Sequence, residues 1–237
     1  MGLLALALAP GIAICIFIYF KDKYNKEPIW MLLYAFALGI LSVIPALAIQ
    51  LSYDPNNLSL FENDILANAF FAFVIVGFSE EGSKFLMLRL FIYPRKHFDD
   101  PFDGIVYSVM VGMGFATLEN VGYVMQHGLG TGILRMFLSV PSHGTFAVLM
   151  GYFIGYTKFS VSGKWKYTLL AILLPVLFHG AFDFFIFVGK DSYIVLGALV
   201  SFILSLYLSF RAIRKKQLLS KQYIENKYNN TTTTSDQ

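Results

Sequence analysis

The sequence is short of charged residues and almost devoid of cysteine. Asp, Glu, Lys and Arg make up 14% of its 237 residues, whereas soluble domains contain about 25%. The single cysteine, Cys15, has no partner for a disulfide bond within the chain. These shortages exclude a soluble enzyme, a disulfide-stabilised scaffold and a disordered chain. A basic groove and nucleic-acid-binding motifs are also missing, so nucleic acid is not expected as a partner.

Apolar residues, in contrast, are abundant. Hydrophobic residues form 57% of the chain, and its mean hydropathy is +0.62. A helix needs about 20 mostly apolar residues to cross a bilayer. Seven runs are long enough, at residues 3–20, 29–51, 65–92, 104–126, 133–157, 167–188 and 192–213. Because these runs are continuous rather than alternating, they predict an all-α polytopic transmembrane helix bundle and not a β-barrel.

The distribution of Lys and Arg predicts the orientation of these runs. The loops after the first, third and fifth runs are basic, and so is the C-terminal tail, whereas the other loops contain almost no Lys or Arg. Basic loops stay in the cytoplasm, which predicts an outer N-terminus and a cytoplasmic C-terminus. We expect residues 1–215 to form one transmembrane domain. Residues 216–237 end in a low-complexity polar stretch and are expected to form a disordered cytoplasmic tail.

Ionisable and amide side chains inside the apolar runs mark the region where function is expected. A charged side chain at the middle of a bilayer costs at least about 2.5–3.5 kcal/mol, so its presence needs a reason. The first, second and seventh runs contain almost no such residues. The third to sixth runs contain the following set: Glu80, Glu81, Lys84, Glu119, Asn120, His143, His179 and Asp183.

In the third run, two acids and one base share a helix face. At 100° per residue, Glu80, Glu81 and Lys84 fall within an arc of about 100°, and the spacing allows Lys84 to pair with either acid. One such pair leaves the second carboxylate without a cation. The cluster is therefore either a catalytic group or a buried ion network that only fixes helix packing.

The fourth to sixth runs add an acid and two histidines at a similar depth. Glu119 has no basic residue within one turn, so its partner must come from another span or be a metal. Asp183 lies one turn after His179 and can orient its imidazole. Counted inward from the predicted outer ends, Glu119, His143 and His179 lie about 10–15 Å deep. One polar site that opens outward accounts for all of them.

Three functions fit carboxylates and imidazoles in a wet cavity. They are hydrolysis by general-base catalysis, transport of protons or cations along a relay, and a structural charge network. The sequence contains neither His-Glu-x-x-His nor Gly-x-Ser-x-Gly, which are motifs of common soluble hydrolases. From residue spacing alone, a hydrolase and a proton- or cation-coupled transporter remain open as alternatives.

A set of motifs resembles the PrsW family of intramembrane proteases. The set comprises Glu80-Glu81-x-x-Lys84, Phe115-x-x-x-Glu119-Asn120, Ser142-His143 and His179-x-x-x-Asp183. Further stretches similar to that family are Ala9-Pro10-Gly11, Tyr24-x-x-Glu27-Pro28 and Phe98-Asp99-x-x-Phe102-Asp103-Gly104. The resemblance covers roughly residues 9 to 185.

The resemblance implies a set of site residues. The family is similar to the CAAX-protease and bacteriocin-processing group, in which a Glu pair and histidines activate water and support the oxyanion. By position, the first Glu of that group corresponds to Glu80, its last His to His179 and its Asn to Asp183, while Glu119 replaces its other His. From the motifs, the expected catalytic residues are Glu80, Glu81, Lys84, Asn120 and Asp183. Metallopeptidase character implies a Zn²⁺ site, for which the expected ligands are Glu119, His143 and His179. A metal-free glutamate mechanism is the alternative.

The resemblance also implies an activity and a location. We expect a multi-pass protein of the bacterial plasma membrane that makes a regulated first cut in a membrane-anchored substrate. The expected substrate is a single-span protein such as an anti-sigma factor, cut on its outer side as part of a stress response.

Overall fold

The structure is a computed structural model that describes residues 2–54, 63–189 and 192–235. Its regular secondary structure is helical throughout these ranges, as expected for an all-α bundle. The helices are α1 (Gly2–Lys21), α2 (Ile29–Ser52), α3 (Asp64–Phe70), α4 (Ser79–Met87), α5 (Asp103–Phe137), α6 (Ser139–Phe159), α7 (Lys164–Val188) and α8 (Ser192–Ser235).

The third predicted run is a composite rod rather than one regular α-helix. Two π-helical segments, Phe71–Phe78 and Leu88–Ile92, flank α4 and join it to α3 in a continuous helical stretch from Asp64 to Ile92. Wide π-helical turns are rare and occur frequently at functional sites. Here they lie on either side of the nine-residue α4, which contains the Glu-Glu pair.

Six helical segments of the described chain are long and apolar enough to cross a membrane. One of them, Asp103–Phe159, has 57 residues, and at 1.5 Å per residue it would be about 85 Å long if straight. It contains two antiparallel arms, because Gly104 near the start of α5 contacts Gly155 near the end of α6, and Gly112 contacts Ala147. These arms correspond to the predicted runs 104–126 and 133–157. The count of seven crossings and the orientation remain predictions.

The connection that the sequence predicts between the two arms is helical except for a kink at Gly128. The helix continues through 127–137 apart from Gly128, whose φ of 77° is readily adopted only by glycine. Leu138 then connects α5 to α6. The bend brings the last turns of α5 back towards the middle of the same helix. A residue near the end of α5 can therefore reach Glu119.

The centre of the bundle is α5, which packs against α1, α2 and α6. Close backbone approach makes this packing dense: Gly39 of α2 lies against the Val111 backbone, and Gly114 of α5 lies against the Phe36 backbone. A side chain at either glycine would collide with the facing helix. Small residues of this kind allow transmembrane helices to pack closely.

In the described part of the tail, for which the sequence predicts disorder, α8 continues to Ser235. Its extension packs against the end of the bundle. Gln217 Nε2 donates to the Lys21 carbonyl at 2.5 Å, and Ser220 Oγ donates to Asp100 Oδ2 at 2.6 Å. The Lys216 ammonium lies 3.6 Å from the centre of the Tyr156 ring. These contacts hold the first residues of the tail, 216–220, against the bundle.

Candidate active site

Four helices bring the predicted polar residues together. Their side chains come from α4, α5, α6 and α7, and we define the polar centre as Glu80, Glu81, Lys84, Glu119, His143 and His179. All of these except Glu119 are buried, while the side chains of Glu119, Arg135 and Asp183 are 19%, 14% and 17% exposed. The partly exposed group forms the mouth of the site, towards the end of the bundle where α6 begins.

Lys84 contacts more than one acid and a histidine of the polar centre. Its Nζ lies 2.7 Å from Glu81 Oε1 and 3.5 Å from Glu80 Oε2. It also lies 3.2 Å from His143 Nδ1 and 4.0 Å from the centre of the Phe115 ring. The sequence predicts that Lys84 can pair with either acid, and the structure places it beside both, with the shorter contact to Glu81.

The partners of His143 determine its tautomer. Lys84 has only hydrogens to donate, so His143 Nδ1 accepts from it and the ring proton lies on Nε2. That Nε2 lies 3.0 Å from Glu119 Oε2, to which it donates. Glu119 therefore orients the imidazole of His143 from behind, in the way that carboxylates support metal-ligating histidines.

Glu119 has a cation partner that sequence reasoning missed. Arg135 Nη2 donates to Glu119 Oε2 at 2.7 Å across 16 residues of the same bent helix. Both partners of Glu119, Arg135 and His143, lie in the predicted fifth run, as expected of a partner from another span. Arg135 Nε also donates to Asn120 Oδ1 at 3.0 Å, and Asn120 Nδ2 donates to the Ala7 carbonyl. These contacts direct Asn120 towards Arg135 and α1 rather than towards the histidines.

His179 lies between three carboxylates. Its Nδ1 is 2.9 Å from Glu81 Oε1, and its Nε2 is 3.2 Å from Asp183 Oδ2 and 3.8 Å from Glu80 Oε2. The expected contact between His179 and Asp183, one turn apart, is present. The Phe146 ring stacks on the imidazole with 5.3 Å between ring centres and restricts its rotation.

The geometry favours a ligand set that differs from the predicted one by a single residue. Glu80, His143 and His179 each offer one ligand atom, and these atoms all lie within 4.8 Å of one another. The predicted set contained Glu119 in place of Glu80, but Glu119 Oε2 already accepts from Arg135 and His143. Two imidazoles and one carboxylate are a common ligand set of zinc hydrolases.

Buried oxygen atoms that lack hydrogen-bond partners indicate whether these residues suit a metal. Glu80 Oε2 and Glu81 Oε2 are buried and make no hydrogen bond to any described residue. Unsatisfied buried oxygens are costly, and a metal or a water molecule would satisfy them. Lys84 donates to the same His143 nitrogen that faces the cluster, so it would compete with a metal for that atom. The residues present fit a metal.

Gln50 is a further residue that sequence reasoning missed. Its Nε2 donates to Glu80 Oε1 at 3.2 Å and lies 3.4 Å from Ser79 Oγ, so it fixes Glu80 from α2. A signal was available, because Gln50 is an isolated polar residue at the end of an otherwise apolar run. For Arg135 the signal was its place at the edge of the fourth loop, near the start of the fifth run, where no other Lys or Arg is near.

Comparisons with known proteins agree with the motifs. Residues 27–210 match the model of a protein family described as "PrsW family intramembrane metalloprotease". Protease PrsW of Bacillus subtilis (strain 168) is 37% identical over 185 residues, which cover 77% of this chain and 82% of that protein. Protease PrsW of Shouchella clausii is 36% identical over 208 residues, which cover 88% and 93% of the two chains. Protease PrsW of Halalkalibacterium halodurans is 32% identical over 220 residues, covering 93% and 98%. No solved structure matches.

These matches decide between the alternatives that residue spacing left open. The similarity extends over most of this chain and most of each relative, and it includes all four helices of the polar centre. Together with six apolar helices, it identifies a multi-pass membrane enzyme, and the bacterial relatives are consistent with the plasma membrane. A transporter is no longer needed to explain the buried charges, and the chain belongs to the PrsW family of intramembrane metalloproteases.

Proposed function

We propose that the protein makes a regulated first cut in a single-span membrane protein such as an anti-sigma factor. The observation that carries this proposal is the burial of the Glu, His and Lys side chains below a partly exposed mouth formed by Glu119, Arg135 and Asp183. A substrate helix near its end can reach such a mouth. By the charge-based orientation, this end of the bundle faces outward.

We further propose that Glu80, His143 and His179 hold a Zn²⁺ ion. Glu119 fixes the ring of His143, and Glu81 accepts from His179 Nδ1, so each histidine has a carboxylate that sets its tautomer. A bound Zn²⁺ would polarise the scissile carbonyl and lower the pKa of a water molecule. Glu80 replaces Glu119 in the predicted set because its Oε2 makes no hydrogen bond.

The remaining acid of the pair is suited to proton transfer. Glu81 Oε1 is held by Lys84 and His179 at 2.7 Å and 2.9 Å, which fixes the carboxylate in place. Its buried Oε2 has a free lone pair and can accept a proton from the attacking water. The Lys84 ammonium lies beside both acids and offsets part of their charge. Asp183 Oδ2 lies 3.2 Å from His179 Nε2, the nitrogen that also faces Glu80.

Reconstitution with a single-span reporter tests the proposed activity. The purified chain and the reporter would be placed in liposomes, and the products would be identified by mass spectrometry. We expect one cut on the outer side of the reporter span, inhibition by a zinc chelator and recovery on adding Zn²⁺. Cuts on the cytoplasmic side would contradict the proposed orientation, and full activity in metal-free protein would leave only the glutamate mechanism.

A variant separates true cleavage from a contaminating protease. Glu81→Gln should abolish cleavage in the same liposomes, while Glu225→Gln, a change at an exposed acid of α8, should leave it unchanged. Equal cleavage by both variants would remove the assignment of the reaction to the polar centre.

A further inference from the structure

A second group of buried carboxylates lies at the opposite end of α5. We define the acidic end as Asp22, Glu27, Asp99, Asp100 and Asp103, of which all but Asp99 are buried. They come from the connection between α1 and α2 and from the segment that enters α5. Asp103 precedes Glu119 by 16 positions of α5, a separation of about 24 Å, so this group is distinct from the polar centre.

Some carboxylate oxygens of the acidic end accept hydrogen bonds from nearby groups. Asp103 Oδ2 accepts from the backbone N–H groups of Asp99 and Asp100, at 2.8 Å and 2.6 Å. Glu27 Oε2 accepts from the Tyr107 hydroxyl, and the Glu27 N–H donates to Asp22 Oδ2 at 3.0 Å. These bonds hold the two connections against each other, and they fix the directions of the carboxylates.

One oxygen is left without a partner. Asp103 is fully buried, and its Oδ1 makes no hydrogen bond to any described residue. Glu27, Asp99 and Asp103 each offer an oxygen, and the three oxygens lie within 4.8 Å of one another. An unsatisfied, buried carboxylate oxygen beside two further carboxylates is unfavourable unless a cation or a proton lies among them.

Nearby lysines do not supply that charge. Within the described chain, no salt bridge joins Glu27 or Asp103 to a Lys or Arg. Lys158 Nζ donates to the Tyr93 carbonyl at 2.7 Å, and Lys227 Nζ lies 3.4 Å from Oδ2 of Asp99, the acid that is not buried.

The burial of these carboxylates raises the pKa of two acids that lie outside the membrane-spanning segments. Burial raises the pKa of Glu27 to about 7, although the Tyr107 hydroxyl acts against the shift. Burial also raises the pKa of Asp22 to about 6. Carboxylates that lose their hydration in this way are stabilised by a bound cation as well as by a proton.

We propose that Glu27, Asp99 and Asp103 bind one hard divalent cation of the Ca²⁺ or Mg²⁺ class. The available donors are carboxylate oxygens, which these cations prefer, whereas zinc favours the imidazoles of the polar centre. The bound ion ties the connection between α1 and α2 to the start of α5. It also gives a role to Tyr24-x-x-Glu27-Pro28 and Phe98-Asp99-x-x-Phe102-Asp103-Gly104, which contribute nothing to the polar centre. The proposal does not depend on the proposed substrate.

Terbium luminescence tests the site directly. Tb³⁺ binds at Ca²⁺ sites, and a nearby tyrosine can excite it; here the Tyr107 hydroxyl contacts Glu27. The full-length protein, freed of metal in detergent micelles, should show one saturable Tb³⁺ site from which Ca²⁺ or Mg²⁺ displaces the probe. Asp103→Asn and Glu27→Gln should each weaken Tb³⁺ binding at least about 10-fold. Glu80→Gln and the exposed control Glu225→Gln should bind Tb³⁺ as the unchanged protein does.

Thermal unfolding provides the second measurement. Ca²⁺ or Mg²⁺ at millimolar concentration should raise the Tm of the unchanged protein but not that of Glu27→Gln, which keeps an acceptor for the Tyr107 hydroxyl. This variant decides the matter if Asp103→Asn fails to fold, since Asp103 also accepts two backbone N–H groups. Absence of saturable Tb³⁺ binding, or equal Tb³⁺ binding by Glu27→Gln, would overturn the proposal and indicate that the acids share a proton.

Discussion

The polar centre and the acidic end bury carboxylates in two different ways. In the polar centre, acids alternate with cations and imidazoles: Glu81 lies between Lys84 and His179, and Glu119 lies between Arg135 and His143. In the acidic end, acids face one another, and the hydrogen-bond donors to Glu27 and Asp103 are the Tyr107 hydroxyl and backbone N–H groups. Neighbouring cations therefore compensate the buried carboxylates of the polar centre, whereas the buried carboxylates of the acidic end are only partly compensated.

The comparison shows how partner chemistry decides which ligand a cluster can take. The unsatisfied oxygens of Glu80 and Glu81 lie beside imidazole nitrogens, a mixed donor set that suits zinc. The unsatisfied oxygen of Asp103 lies among other carboxylates, a set that suits a hard cation. Changes that remove one partner at a time test whether the two regions differ in this way.

The largest effect is expected in the Glu-Glu pair. Glu81→Gln should lower the free energy of unfolding by about 3–5 kcal/mol, because Lys84 loses its closest carboxylate inside the bundle. Glu80→Gln should lower the free energy of unfolding less, since Glu80 Oε2 lies farther from Lys84 Nζ, at 3.5 Å, and accepts no hydrogen bond, but it should lower cleavage at least about 100-fold. Thermal unfolding and reporter cleavage, measured on both variants, check this. Equal destabilisation by the two changes would contradict the distinct roles.

Arg135 should have the next largest effect. Arg135→Met leaves Glu119 held only by His143, so the orientation of that ring is loosened and cleavage should fall about 10-fold or more. Arg135→Lys should restore part of the activity, because one ammonium can pair with Glu119 but cannot also reach Asn120 in the same way. The matched control is Arg214→Met, at an exposed arginine of α8. Cleavage rates unchanged by Arg135→Met would show that Glu119 needs no cation.

A smaller effect is expected at the acidic end. Tyr107→Phe removes the hydroxyl that donates to Glu27 and should lower the free energy of unfolding by about 1–3 kcal/mol. Reporter cleavage per folded molecule should be unchanged, because Tyr107 lies 12 positions of α5 before Glu119, about 18 Å away. A loss of cleavage without a loss of stability would instead couple the two regions.

The smallest effect is expected for an exposed ion pair of α8. Lys221 Nζ and Glu225 Oε1 lie 3.8 Å apart, with side chains 50% and 59% exposed. Solvent screens such a pair, so Lys221→Ala should change the free energy of unfolding by less than about 0.5 kcal/mol. A change above about 1 kcal/mol in thermal or denaturant unfolding would show that this part of α8 is packed more tightly than its exposure indicates.

Much of the fold could be predicted because bilayer thickness sets the length of an apolar run. The predicted runs 29–51 and 167–188 lie within α2 and α7. Between 126 and 133, where the sequence predicts a connection between two runs, the chain kinks at Gly128 and is otherwise helical. Residues 55–62 of the second predicted loop lie outside the described residues, as do Lys190 and Asp191 of the sixth.

The candidate site could be predicted as a list of residues but not as a set of pairs. Polar residues in apolar runs are costly, which is why Glu80, His143 and His179 could be found from the sequence. The pairing of Glu119 with Arg135 depends on the bend at Gly128, and helical spacing reveals only partners within one turn. The position of Glu80 beside both histidines depends on how α4 packs against α6 and α7, which hydrophobic patterning does not fix.

Metal content of purified variants tests the central claim, that Glu80 rather than Glu119 completes the metal site with His143 and His179. The unchanged protein should contain one Zn²⁺ per chain by mass spectrometry of the metal. Glu80→Gln, His143→Ala and His179→Ala should each lose the metal. Glu119→Gln should retain it at saturating Zn²⁺ and bind it about 10–100-fold more weakly. Full occupancy in Glu80→Gln together with an empty site in Glu119→Gln would contradict the account.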